Sequence, residues 1–181
     1  MPMALFIKIK VKHLAYYKLW GVFMILKLNL KRLIISLLIP LGVGGLSALI
    51  TGGNMDIYSK INRPPLSPPG IVFPIVWSVL YTLMGISLYL VWNKDADSDQ
   101  SRTAFIWFAV QLFLNFIWSP VFFGAQQYLT AFIILILLWL SVIFMIISFY
   151  KISKPAALLQ IPYLIWITFA GYLNLAIYIL N

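Results

Sequence analysis

The sequence contains no cysteine and no glutamate, and its only histidine is His13. The absence of cysteine excludes disulfides, thiolate metal sites and a cysteine nucleophile. Only 9% of the 181 residues are charged, too few to cover the surface of an ordinary water-soluble protein. The chain is instead apolar, with 63% hydrophobic residues and a mean hydropathy of +0.99. This composition indicates an integral membrane protein.

Five apolar stretches have no Asp, Lys or Arg in their interiors, and each could cross a hydrocarbon core of about 30 Å at about 1.5 Å per residue. Backbone groups in lipid must bond internally, so runs of this length suit helices rather than the alternating strands of a barrel. We therefore predict an all-α fold, a five-transmembrane-helix bundle that occupies residues 33–181. Its helices are expected at residues 33–50, 70–92, 103–123, 128–150 and 156–180.

The basic residues are distributed unevenly about these helices. If successive helices alternate in direction, 11 of the 13 Lys and Arg residues share the side of the N-terminus, and only Lys60 and Arg63 lie opposite. The positive-inside rule then places the N-terminus in the cytoplasm and the C-terminus outside. The net charge of +9 is thus an orientation signal, and the expected partner of the basic residues is membrane lipid rather than nucleic acid.

Residues 1–32 form a basic N-terminal arm, for which two interpretations remain open. The alternation of apolar and basic residues is compatible with an amphipathic segment in the membrane interface. Alternatively, Met24 is the natural start and residues 1–23 are a mis-assigned extension. We attach no function to the arm.

Three of the predicted helices carry polar and aromatic residues at helical spacing. Buried amides need partners in hydrocarbon, so these faces indicate an internal ligand pocket. A purely structural explanation is equally open at this point, with rings in the headgroup belts and Asn115 and Asn174 bonding across helices. Gly44, Ala48 and Gly52 predict close packing of the first helix, and Pro120 and Pro162 predict bends. The three faces are Phe73, Trp77, Tyr81 and Gly85; Gln111, Asn115, Trp118 and Phe122; and Trp166, Ala170 and Asn174.

Three segments in order along the chain carry a family resemblance. The first runs from Pro68-Pro69 through Phe73-Pro74-x-x-Trp77 to Gly85. The second runs from Gln111 through Asn115, Trp118 and Pro120 to Gly124. The third runs from Pro162-Tyr163 through Trp166 to Asn174. With these motifs, residues 33–181 closely resemble the translocator protein family, the tryptophan-rich sensory proteins of bacteria and the peripheral-type benzodiazepine receptors of mitochondria.

The resemblance implies a five-helix bundle, a homodimer and a location in a bacterial cell membrane. It also implies a pocket for a porphyrin or an isoquinoline-carboxamide-like ligand between the helices, beneath the first loop. The loop lid would comprise Lys60, Arg63 and Pro64, in which Arg63 retains the charge of the family's usual lysine. By position the pocket residues are Trp77, Tyr81, Asn115, Trp118, Trp166, Ala170 and Leu173, and the polar and aromatic faces add Phe73, Gln111, Phe122 and Asn174.

Two departures from the family pattern alter these expectations. The usual aromatic residues of the loop are replaced by Ile57 and Leu66, so we expect the lid to grip a flat ligand less well. Tyr178 is followed by Ile-Leu-Asn rather than by the Lys or Arg of the animal cholesterol motif. We therefore predict weak or no cholesterol binding.

A membrane receptor or sensor for porphyrin (tetrapyrrole), linked to tetrapyrrole homeostasis or stress, is the function we predict. The ligand would lie against indole and phenol rings, with its propionates directed toward Lys60 or Arg63. No cofactor or metal is expected, and metal-free porphyrin is favoured over heme, because no predicted helix contains a His or Cys to ligate iron.

Two other functions remain as alternatives. One is light-dependent oxidative degradation of protoporphyrin, in which Trp77 and Trp166 would be catalytic because they carry radicals. The four aspartates lie in loops or at helix ends and offer no acid–base pair within the helices, so all chemistry would come from the ligand. The other is transport of porphyrin-like molecules, although five helices without intramembrane charge or inverted halves lack the usual coupling machinery.

Overall fold

A computed structural model describes residues 28–52, 57–94 and 98–181 of the chain. Within these ranges there is no β-strand, and five helices are long and apolar enough to cross a membrane. This confirms the predicted all-α membrane fold. Most of the N-terminal arm, including Met24, lies outside the described residues. The five long helices are α1 (Leu30–Thr51), α2 (Val72–Trp92), α3 (Ser98–Ser119), α4 (Tyr128–Ile152) and α5 (Ile161–Leu180).

Two helices begin before the apolar stretches that predicted them. The Asn29 side chain caps α1 by accepting a hydrogen bond from the backbone N–H of Arg32 at 3.1 Å, so residues 30–32 form its first turn. Helix α3 begins at Ser98 rather than at residue 103, with Asp99 in its first turn. An acidic side chain is favourable near a helix N-terminus. For α1 and α3, hydropathy therefore located the apolar part of the helix rather than its full length.

The two prolines have different structural effects. Pro120 opens a π-helical turn, Pro120–Gly124, that continues directly from α3. Pro162 lies in the first turn of α5, where its missing N–H is not needed, after the short helix Lys154–Leu158 and a turn at residues 159–160. Proline thus changes the helix type in one span and restarts the helix in the other.

Helix α1 packs on α2, α3 packs on α4, and α4 packs on α5. Gly85 permits the first of these contacts, because a Cβ there would lie 2.8 Å from the Leu37 Cα on α1. Gly44 similarly accommodates the Tyr81 ring, with which any Cβ would collide. A Cβ on Gly52 would meet nothing within 4 Å, so only part of the predicted small-residue ridge is a packing contact.

Candidate functional site

A cavity of about 120 Å³ lies between α1, α2 and α3, at their ends nearest the loop that joins α1 to α2. Its wall on α1 is made of small residues that include Gly44 and Thr51. Aromatic rings form much of the remainder, together with the Asn115 amide. Five of the predicted pocket residues line this cavity: Phe73, Trp77, Tyr81, Asn115 and Trp118.

A second and smaller space, of about 20 Å³, lies between α2, α3 and α5. Phe73, Trp118 and Phe123 line both spaces and stand between them. The structure therefore brings nine of the eleven predicted pocket residues around two neighbouring hollows. The four that line only the second space are Phe122, Ala170, Leu173 and Asn174.

Beside the first cavity, a buried hydrogen-bond network joins three helices. The Tyr81 hydroxyl donates to Asn115 Oδ1 at 2.7 Å, and Asn115 Nδ2 donates to the Tyr163 hydroxyl at 2.9 Å. The Tyr163 hydroxyl in turn donates to Gln111 Oε1 at 3.0 Å. Gln111 is fully buried and lines neither hollow. Gln111 therefore contacts the pocket residue Asn115 only indirectly, through Tyr163, and its side chain does not face either hollow.

A second buried pair connects the other hollow to α4. Trp118 Nε1 donates to Asn174 Oδ1 at 3.0 Å, and Asn174 Nδ2 donates to the Tyr128 carbonyl oxygen at 2.8 Å. Asn115 and Asn174 thus both bond across helices, as the structural explanation predicted, but their partners are other residues. The bonds fix the orientation of the Tyr81 and Trp118 rings, so this polar scaffold also shapes the cavity walls.

Trp166 lies next to the hollows without lining either. Its ring is 6.0 Å from that of Phe73, centroid to centroid, in an edge-on arrangement. The Trp166 Nε1 atom is buried and has no hydrogen-bond partner. Buried donors are nearly always paired, so this N–H is an exception beside the hollows.

The loop between α1 and α2 covers this end of the bundle. Tyr58 is buried with its ring 5.1 Å from that of Phe73, and the Arg63 guanidinium lies 5.2 Å from the Tyr58 ring centroid. Pro64 is buried, whereas Lys60 is exposed. Ile57 and Leu66 replace the aromatic residues that are usual in this loop. Tyr58 nevertheless provides the loop with an aromatic ring that contacts the pocket residue Phe73.

Helix α5 holds the loop in place. The Tyr172 hydroxyl donates to the Pro65 carbonyl oxygen at 3.0 Å. Asn181, at the end of α5, accepts from the Asn62 backbone N–H at 2.9 Å and donates to the Asn62 carbonyl oxygen at 3.0 Å. Any ligand entering beneath the loop must therefore break or bypass these bonds.

Sequence reasoning omitted two buried tyrosines, Tyr163, which bonds to the pocket residue Asn115, and Tyr58, which lines the second hollow. Tyr163 occupied a matched motif, and the spacing of four, three and four through Ile167, Ala170 and Asn174 would have identified its face as buried. Tyr58 gave no such signal, because it lies in a four-residue helix whose burial depends on contacts far along the chain. No cluster of three or more His, Cys, Asp or Glu residues that could hold a metal occurs in the described ranges.

Comparison with known proteins gives a consistent result. The model of the TspO/MBR family matches residues 36–180. The chain is 40% identical to the Tryptophan-rich protein TspO of Archaeoglobus fulgidus over 155 residues, covering 85% of this chain and 99% of that protein. It is 39% identical to the Tryptophan-rich protein TspO of Chlorobaculum tepidum over 124 residues, covering 68% and 78%. Identity to the Translocator protein of Ovis aries is 36% over 126 residues, covering 69% and 75%.

Proposed function

The chain belongs to the TspO/MBR family, and from this premise we propose that it is a membrane receptor or sensor that binds a porphyrin between its helices. The observation that supports the proposal is the aromatic cavity between α1, α2 and α3, whose rings are held by buried hydrogen bonds beneath a tethered loop. Flat tetrapyrroles are recognised by such stacking surfaces, with a few polar groups to set their orientation.

The size of the cavity sets a requirement on binding. A volume of about 120 Å³ is well below the roughly 300–1,000 Å³ of pockets that enclose drug-sized ligands. Binding must therefore enlarge the site. In this proposal the loop moves away with Tyr58, and the rings between the two hollows rotate so that the hollows merge into one slot.

The polar groups around the slot favour a ligand with acidic substituents. Arg63 and Lys60 stand at the loop end, where they would pair with the propionates of a porphyrin. The buried N–H of Trp166 lacks an acceptor and would be satisfied by a ligand oxygen or nitrogen. The described helices contain no His or Cys to ligate iron, which favours metal-free porphyrin over heme.

Titration of the purified protein with protoporphyrin in detergent tests this function. We expect saturable binding in the dark, monitored by the Soret band of the porphyrin. Binding should be about fivefold weaker in Trp77→Phe, because each well-packed aromatic contact contributes roughly 1 kcal/mol. Trp139→Phe is the matched control, because Trp139 lies on the outside of the bundle and bonds to Thr168. Equal affinity in all three proteins, or no saturation, would refute a pocket at Trp77.

The same titration under illumination distinguishes the alternative functions. Light-dependent loss of the Soret band that disappears in Trp77→Phe and Trp166→Phe would favour porphyrin breakdown. Accumulation of porphyrin inside sealed vesicles, dependent on the protein, would favour transport. Binding without either result leaves the receptor function.

A further inference from the structure

A much larger hollow, of about 690 Å³, lies between α1, α2 and α3 and shares no lining residue with the candidate site. Its walls are aliphatic and aromatic side chains. It opens sideways, because Phe113 is 64% exposed and Leu46 is 51% exposed. An apolar, laterally open cleft in a transmembrane bundle faces the hydrocarbon of the bilayer.

The length of this cleft matches one leaflet of a membrane. Its wall on α3 runs from Phe105 to Phe116, which is about 16 Å at about 1.5 Å per residue. Half of a hydrocarbon core of about 30 Å is nearly the same distance. The cleft begins at Trp92, the last residue of α2, and therefore extends from the membrane interface toward the bilayer centre.

Arg32 contacts the interfacial end of the cleft, and Arg102 borders a hollow that adjoins it. Arg32 Nη1 donates to the Trp92 carbonyl oxygen at 3.1 Å, and its guanidinium carbon lies 5.8 Å from the Trp92 ring centroid. Neither of these contacts involves a carboxylate. Arg102 borders an adjoining hollow that has Phe105 and Ala109 in common with the cleft. Asp99 lies one turn before Arg102 on α3, so this end carries two cations and one nearby carboxylate, while the interior of the cleft is apolar.

We propose that this cleft binds one acyl chain of an anionic phospholipid, whose phosphate lies against Arg32 and Arg102. Guanidinium groups bind phosphate oxygens in a bidentate manner, and basic pockets between helices select anionic headgroups. A zwitterionic lipid would place the same chain in the cleft but would gain less from the two cations. The cleft lacks polar side chains in its interior that could orient a porphyrin, so it is distinct from the ligand pocket.

Native mass spectrometry of the delipidated full chain in detergent tests this site, with dioleoyl phosphatidylglycerol and dioleoyl phosphatidylcholine as probes. We expect one phosphatidylglycerol to bind about 25-fold more tightly than phosphatidylcholine, because each of the two cations contributes about 1 kcal/mol. Arg32→Gln and Arg102→Gln should each reduce this preference about fivefold, because one cation near the headgroup contributes about 1 kcal/mol. Lys151→Gln removes the same charge at the end of α4, a helix that contributes no residue to the lining of the cleft, and should leave the preference unchanged.

Filling the cleft provides a second and independent variant. Ala109→Trp should lower the occupancy of both lipids at least fivefold, whereas Val110→Trp, on the neighbouring face of α3, should not. The proposal would be overturned if the wild type bound the two lipids equally. It would also be overturned if Ala109→Trp bound the lipids as well as the wild type does. Because the chain has no cysteine, Phe113→Cys can also be used alone in membranes. Efficient disulfide cross-linking between two copies through this residue would show that a second copy covers the cleft, and would likewise overturn it.

Discussion

At the scale of single residues, the site depends on a few polar atoms that hold aromatic rings in fixed positions. The Tyr163 hydroxyl is central, because it accepts from Asn115 and donates to Gln111. Tyr81 lies at the end of the same chain of bonds and contacts only Asn115 through its hydroxyl. The order of the bonds, and not the residue type, decides how much each tyrosine matters.

We therefore expect Tyr163→Phe to be more destabilising than Tyr81→Phe. Loss of the Tyr163 hydroxyl leaves Asn115 Nδ2 and Gln111 Oε1 unpaired, whereas loss of the Tyr81 hydroxyl leaves only Asn115 Oδ1 unpaired. An unsatisfied buried group costs roughly 1–3 kcal/mol. The free energy of unfolding, measured by denaturant titration in mixed micelles, should fall about twice as much for Tyr163→Phe. Equal losses would contradict this order.

Two adjacent glycines on α1, Gly44 and Gly45, allow the packing against Tyr81 to be tested with a matched control. A Cβ on Gly44 would collide with the Tyr81 ring, whereas a Cβ on Gly45 would meet nothing within 4 Å. We expect Gly44→Ala to lower the unfolding free energy by about 1–3 kcal/mol through overpacking. Gly45→Ala should raise it by about 0.5–1 kcal/mol, because alanine favours the helix. Thermal unfolding in detergent measures both, and an unaltered melting temperature in Gly44→Ala would show that the ring can move freely.

At the scale of elements, the first loop and α5 act together as a closure over the pocket. Helix α5 supplies Tyr163 and Asn174 to the buried networks and also holds the loop through Tyr172 and Asn181. The family resemblance implied a loop lid that comprises Lys60, Arg63 and Pro64. The tether itself joins residues more than 100 positions apart, which local pattern does not reveal.

Releasing the tether should accelerate ligand binding. We expect Tyr172→Phe combined with Asn181→Ala to increase the association rate of protoporphyrin about threefold to tenfold, because less free energy is needed to lift the loop. Stopped-flow fluorescence quenching measures the rate. Tyr178→Phe is the control, because Tyr178 is as exposed as Tyr172 but makes no hydrogen bond to the described residues of the loop. Identical rates in the three proteins would mean that ligands enter by another route.

At the scale of the whole molecule, the distribution of charge and the apolar exterior determine how the bundle lies in a membrane. Lys31, Arg32, Lys94, Arg102 and Lys151 stand near one end of the bundle, and Lys60 and Arg63 near the other. This asymmetry favours the orientation with the N-terminus in the cytoplasm.

Single cysteines can test this orientation directly, because the chain has none of its own. Gln126→Cys lies in the α3–α4 connection, and Gln100→Cys lies in the first turn of α3; both glutamines are exposed. We expect a membrane-impermeant maleimide to label only Gln126→Cys on intact cells. Labelling of Gln100→Cys alone would show the opposite orientation.

The sequence by itself determined the class of protein, because hydropathy and the shortage of charge depend only on composition and local runs. It also indicated which faces of α2, α3 and α5 turn inward, since polar and aromatic residues repeat at helical spacing. The tertiary structure decided which side chains bond to one another, and that Gln111 and Trp166 lie beside the hollows instead of lining them. It also revealed the apolar cleft and its two arginines. These features depend on the relative rotation of helices distant in sequence, which is set by packing throughout the bundle and not by any single segment.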